Sequence, residues 1–252
     1  SAGYDSVTKV IFTGIVVKHS VKINGDNYAR LIIECRDKAL AMTVGRKNAN
    51  FINKTDNQII STLISNHNGL TPSVDSTSVT YKELVQYYAS DWDYMMARAE
   101  VNGFLVTVDA GTVSVKAPLA SASPVLTLTY GMDLIDFQAE LDSRWQLSSV
   151  TSTSWDLAQL AIVQQTAQPA ALTGQGDLDS KTLSKVLGTG DFALQTAAPL
   201  ESATLTAWSK AQQTKAALSR IRGSMQFQGS ALVKPGVVLE LKGVGTHFNG
   251  NV

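Results

Sequence analysis

Cysteine occurs once in the 252 residues, at Cys35, and histidine three times, at His19, His67 and His247. A single thiol excludes a disulfide framework and a thiolate metal cage. The histidines sit in three separate stretches, none with a ligand-spaced partner, so no zinc motif is read and no metal is expected. Charge is sparse at 17% and balanced, with 21 Lys and Arg against 21 Asp and Glu. The balance holds in both halves of the chain, which removes the basic field that a phosphate backbone or an anionic bilayer requires. No nucleic-acid partner is expected. The longest charge-free stretch, "LAQLAIVQQTAQPAALTGQG" at 157–176, is broken by glutamines, a proline and glycines, so no stable membrane insertion is expected either. The opening "SAGYDSVTKVIFTG" has no basic start followed by an apolar run, and no secretory signal peptide is read there. Glycine-rich "GTG" at 188–190 and "GVGTHFNG" at 243–250 miss the phosphate-cradling spacing, and no Gly-x-Ser-x-Gly elbow occurs. No cofactor is expected.

What is present is 44% hydrophobic residues, enough for an ordered chain of about two domains. "TKVIFTGIVVKHSVKING" and "NYARLIIECR" predict two strands joined at Asn24-Gly25-Asp26, because an Asn-Gly step supplies the positive φ of a tight turn. Cys35 alternates within the second strand and is expected to be a buried packing thiol. "NKTDNQIISTLISNHNGL" predicts a helix capped by Asp56, with Ile59, Ile60, Leu63 and Ile64 on one face. A short helix is expected around Leu84, Val85 and Tyr88. Another begins at a Ser90/Asp93 capping box, with Trp92, Met95, Met96 and Ala99 facing inward. "FLVTVDAGTVSV" predicts a hairpin turning at Ala110-Gly111.

Beyond residue 121, Phe137, Ala139 and Leu141 alternate with Gln138, Glu140 and Asp142 as in a half-buried strand. From Asp156 to about Leu200 the chain turns to Ala, Gln, Thr, Gly and Pro, which predicts a long excursion, irregular in part. "SATLTAWSKAQQTKAALSRIRG" predicts a helix, and "ALVKPGVVLELKGVGTHFNG" predicts two strands around a Lys-Pro-Gly turn. The expected fold class is α+β, mainly β.

Chemistry has few places to reside. Carboxylates cluster at Asp91 and Asp93 and at Asp133, Asp136, Glu140 and Asp142; the first pair suits a helix N-terminus and the others a polar strand face. A glycoside hydrolase using Asp136 or Glu140 is the enzymatic alternative, and an effector- or carbohydrate-binding module is the other. The basic group Arg36, Lys38, Arg46 and Lys47 is interrupted by Asp37 and lacks aromatic platforms, and it reads as a solvated edge or a contact with an acidic protein partner. Trp92, Trp145, Trp155 and Trp208 read as core or interface anchors. No catalytic, cofactor-binding or metal residue is assigned.

Three stretches carry a family resemblance. "LVQYYASDWDYMMARAEVNGFLV" (84–106) resembles the hub segment of VgrG proteins. "YGMDLIDFQAELDSRWQLSSVTSTSWD" (130–156) is similar to phage late control protein D, and the ending with its Pro-Gly, Leu-x-Gly-x-Gly and Phe-Asn-Gly steps resembles the same family. The resemblance implies a baseplate hub and spike protein of type VI secretion, phage tails or extracellular injection particles. It implies a homotrimer of tube-type β-barrels that adapts a six-fold inner tube, Hcp-like, to a three-fold spike. Other implied partners are baseplate proteins and, through a C-terminal needle, a spike tip protein and effectors. Such a particle would be assembled in the bacterial cytoplasm and then secreted. Mapped onto this chain, 1–45 would finish a first tube-type barrel and 46–120 would be an inserted α/β domain. Residues 121–252 would form a second barrel with an excursion at about 157–220. The start without methionine and the missing barrel opening, OB-fold and needle imply a hub fragment.

Overall fold

A computed structural model describes residues 1–25, 28–119, 121–172, 174–188 and 190–252. Asp26 of the predicted turn and Thr189 of the Gly-Thr-Gly step lie outside the described residues. The chain divides into two units: 1–99 with 105–116, and 100–104 with 117–252.

The first unit opens with a small hairpin of β1 (Ala2–Tyr4) and β2 (Val7–Lys9). A longer antiparallel hairpin of β3 (Ile15–Asn24) and β4 (Tyr28–Arg36) follows, as the alternation predicted. A 3₁₀ turn (Lys38–Thr43) leads into β5 (Lys47–Thr55), α1 (Asp56–Ser65), β6 (Thr71–Val74), β7 (Thr80–Ala89), α2 (Asp91–Val101), β8 (Leu105–Asp109) and β9 (Thr112–Lys116). β5 pairs with β7, and β9 lies between β6 and β8. The core follows the helical period: Ile59, Ile60, Leu63 and Ile64 of α1 are buried, with Met42, Met95, Ala99, Val113 and Val115.

Local chemistry sets the ends of these elements. Thr55, one residue before the predicted Asp56, caps α1 in a reciprocal box with Gln58. Ser90 Oγ accepts from the Asp93 amide at 3.0 Å and donates to its carboxylate at 2.7 Å, which starts α2. Met95 and Ala99 turn inward as expected, whereas Met96 faces solvent. Ala110 and Gly111 take φ of 49° and 84°, the pair of positive angles that a tight hairpin turn needs. One expectation fails here: Leu84, Val85 and Tyr88 lie in strand β7. Their β-branched and aromatic side chains suit a pleated surface, and β7 completes the ladder of β5.

The second unit contains β10 (Leu126–Thr129), β11 (Leu134–Leu141), β12 (Val150–Asp156), β13 (Ala161–Ala167), α3 (Ser180–Leu187), β14 (Phe192–Thr196), α4 (Ser202–Leu218), β15 (Ile221–Phe227), β16 (Leu239–Lys242) and β17 (Gly250–Asn251). β10, β16 and β17 form one sheet and β11 with β15 another. Buried Leu128, Leu239 and Leu241 pack against Leu134, Phe137, Met225 and Phe227, so these two sheets share a core.

The stretch expected to be irregular in part holds β13, α3 and β14 between segments without strand or helix. β12 lies between antiparallel β13 and parallel β14, and α4 packs against β12 and β13. Small polar residues make that seat: Ser152 Oγ donates to the Leu205 carbonyl at 2.8 Å and Ser209 Oγ donates to Ser152 Oγ at 2.8 Å. The final stretch also differs from expectation. Residues before Pro235 form turns; Lys234 to Val237 closes a turn in which Gly236 takes φ of 88°, and the strand begins only at Leu239. The fold class is thus α+β and mainly β, as expected. No helix among the described residues is long and apolar enough to cross a membrane.

Leu205 of α4 is fully buried, whereas Val186 is 66% exposed. Leu205→Ala is expected to cost about 2–5 kcal/mol and Val186→Ala less than about 0.5 kcal/mol. Calorimetric unfolding of the two variants checks this.

Candidate assembly surface

Residues opposite one another in an antiparallel ladder share a face. In the long hairpin Val21 faces Leu31, Ile23 faces Ala29, His19 faces Ile33 and, past a bulge, Val16 faces Cys35. These side chains make one face, almost wholly apolar. The other face carries Lys18 with Glu34, Lys22 with Arg30, and Ser20 with Ile32.

The apolar face is uncovered. Val16 is 63% exposed, Val21 64%, Ile23 74%, Leu31 59% and Ile33 51%. Cys35 is exposed among them, which corrects its reading as a buried thiol: the alternation identified the right face, but no second layer lies on it. Neither strand of the hairpin pairs with a third strand among the described residues. An isolated two-stranded ribbon is marginal in water, and fully burying a Val, Leu or Ile side chain contributes roughly 1.5–3 kcal/mol. The face is therefore a surface suited to being covered.

The first unit also holds two buried carboxylates. Asp91 accepts from Lys47 Nζ at 2.6 Å, His67 Nε2 at 2.7 Å and Gln86 Nε2 at 3.0 Å, joining β5, the end of α1 and β7 to the start of α2. Burial alone would push its carboxyl up, but the hydrogen bonds from Gln86, Lys47 and His67 outweigh it and hold the group below its ordinary value. Asp56 takes a bidentate contact from Arg98 at 2.6 and 3.0 Å and accepts from Tyr81 at 3.2 Å. Both carboxylates are saturated with donors and act as internal braces.

The other sequence candidates scatter. Asp133 accepts from the Thr129 amide at 3.1 Å, and the hydrogen bonds from Arg144 hold Asp142 down at about 2. Asp136 and Glu140 lie four residues apart on β11, with Glu140 opposite Arg222. At ~3.3 Å per residue their backbones are about 13 Å apart along the strand. An open groove of about 420 Å³ is lined by Tyr130, Leu134, Ile135, Asp136, Phe137, Gly243 and Val244, with Asp136 its single carboxylate. Gly243 and Gly245 take φ of 78° and 97° in the loop at this rim. His247 Nδ1 meets Asp177 at 2.5 Å, and His19 lies on the exposed hairpin. Among the described residues no group of three or more His, Cys, Asp or Glu gathers as a metal site. Trp92 and Trp208 are half-buried, whereas Trp145 and Trp155 are 64% and 41% exposed.

This arrangement has the fold of phage tail proteins. The prophage MuSo2 43 kDa tail protein from Shewanella oneidensis superposes with a TM-score of 0.69 at 13% identity, over 96% of this chain and 72% of that one. The tail protein from Neisseria meningitidis MC58 gives 0.67 at 15% identity, over 91% and 69%. Prophage tail protein gp18 from Listeria monocytogenes EGD-e gives 0.58 at 11%, over 90% and 66%. Residues 1–252 match the family described as the Alg8 N-terminal domain, and the chain belongs to that family. Among curated proteins nothing matches the sequence.

A carboxyl held below its ordinary value of 3.8 contributes stability that is complete above that value and is lost as pH falls through the lowered one. Asp91→Asn is expected to destabilise the first unit by about 2–4 kcal/mol at pH 7. It is also expected to flatten the loss of stability below about pH 4. Urea unfolding between pH 7 and pH 2.5 measures both effects.

Proposed function

We propose that the chain is a structural, non-enzymatic hub component of a contractile, tail-like injection machine. The supporting observation is the uncovered apolar face of the β3–β4 hairpin in a chain with the fold of phage tail proteins. In this reading the hairpin belongs to a tube-type barrel completed by neighbouring strands, with residues 1–45 finishing that barrel, 46–120 inserted and 121–252 forming a second one. Three copies close a ring that adapts a six-fold inner tube to a three-fold spike. Edge strands buried between copies also escape non-specific pairing, which long exposed edges invite.

The VgrG-like motifs point to the same partners: an Hcp-like inner tube protein, baseplate proteins, and a spike tip with effectors. The particle would be assembled in the bacterial cytoplasm and then released. A glycoside hydrolase fits less well, because the groove at β11 is lined by a single acid, Asp136, where that chemistry uses two.

Light scattering on the purified chain over a rising concentration series tests this reading. A trimer is expected to appear as concentration increases. Val21→Asp combined with Leu31→Asp is expected to leave a folded monomer at every concentration, because two charges would have to be desolvated in the contact. A wild-type chain that stays monomeric throughout while remaining soluble contradicts the proposal.

A further inference from the structure

A second surface differs from the hairpin in its chemistry. The three-stranded sheet of β13, β12 and β14 presents its inner face to α4, where Ser152 and Ser154 are buried and hydrogen-bonded. The residues between them point the other way, as strand alternation requires. Thr151, Thr153 and Trp155 of β12 stand opposite Thr166, Gln164 and Ile162 of β13. On the parallel side, Thr153 is level with Gln195 of β14.

None of these side chains carries a charge. Thr151 and Thr166 share a hydroxyl–hydroxyl hydrogen bond of 2.7 Å. Thr153, Gln164 and Gln195 make no side-chain hydrogen bond among the described residues, and Gln164 and Gln195 are exposed. The row ends in Trp155, 41% exposed, beside Ile162, 64% exposed.

We propose that this face is a binding platform for a neutral polysaccharide. A threonine hydroxyl and a glutamine amide each supply both a donor and an acceptor, which is what an array of sugar hydroxyls needs. The indole at the end of the row supplies an apolar plane with a polar edge, suited to the C–H face of a sugar ring. The lack of charge allows the face to be dehydrated without the penalty of burying ions, and it gives no attraction for an anionic polymer or a charged peptide. A sheet face without a deep cleft matches a chain that lies across it. Nothing in this argument depends on the hub reading.

Affinity electrophoresis of the intact chain in gels containing hydroxyethyl cellulose, galactomannan or laminarin tests it. Retardation by at least one of these polymers is expected. Trp155→Ala is expected to weaken it about five-fold or more, and Thr153→Lys at the centre of the face to abolish it. Trp145→Ala, at an exposed tryptophan elsewhere, is expected to leave it unchanged. Circular dichroism of each variant separates a lost platform from a lost fold. The inference is overturned if none of the three polymers retards the wild type. It is equally overturned if Trp155→Ala and Trp145→Ala behave alike, or if Thr153→Lys lowers the oligomeric mass of the chain while polysaccharide retardation persists, which would make the face a protein contact.

Discussion

Removing apolar surface from water is the constraint on which the account of this chain depends. In the core of each unit the constraint is met: α1 buries a full stripe of isoleucine and leucine, and the leucines of β10 and β16 close against β11 and β15. It is not met on the β3–β4 hairpin, where Val21, Ile23, Leu31 and Ile33 project from one side of a two-stranded ribbon. Each exposed aliphatic side chain there represents up to roughly 1.5–3 kcal/mol available to whatever covers it. The polar opposite face, with Lys18, Lys22 and Arg30, gives the ribbon a defined orientation, so a covering layer is directed to one side.

Stiffness in the first unit comes from ionised groups inside it. Asp91 ties β5, α1 and β7 to α2, while Arg98 ties α2 to the start of α1 through Asp56. Each carboxylate is satisfied by several donors, which offsets its desolvation.

Much of this was legible in the sequence. The isoleucine and leucine spacing gave α1 directly, Ser90 with Asp93 gave the start of α2, and Ala110-Gly111 gave a hairpin turn whose positive φ angles the backbone adopts. Other features were not legible, for physical reasons. Leu84, Val85 and Tyr88 satisfy a helical spacing and a strand composition alike, and the partner strand β5 decides between them. Residues 156–200 hold β13, α3 and β14 without an apolar period that marks them, and the helix that follows, α4, is seated partly through the hydrogen bonds of Ser152 and Ser209. Cys35 alternates as a core residue does, yet the layer that would bury it is not supplied by this chain's described residues. The apolar face was therefore visible as a strand pattern, and only three-dimensional placement revealed it as uncovered.

Cys35 sits on that apolar face and is the only thiol in the chain, so its alkylation rate reports directly on whether the face is covered. The rate is predicted to fall as chain concentration rises and larger species form, and to stay fast at all concentrations when Val21 and Leu31 are both replaced by Asp. Equal reactivity in monomer and assembled species would contradict the claim that copies of this chain cover the hairpin.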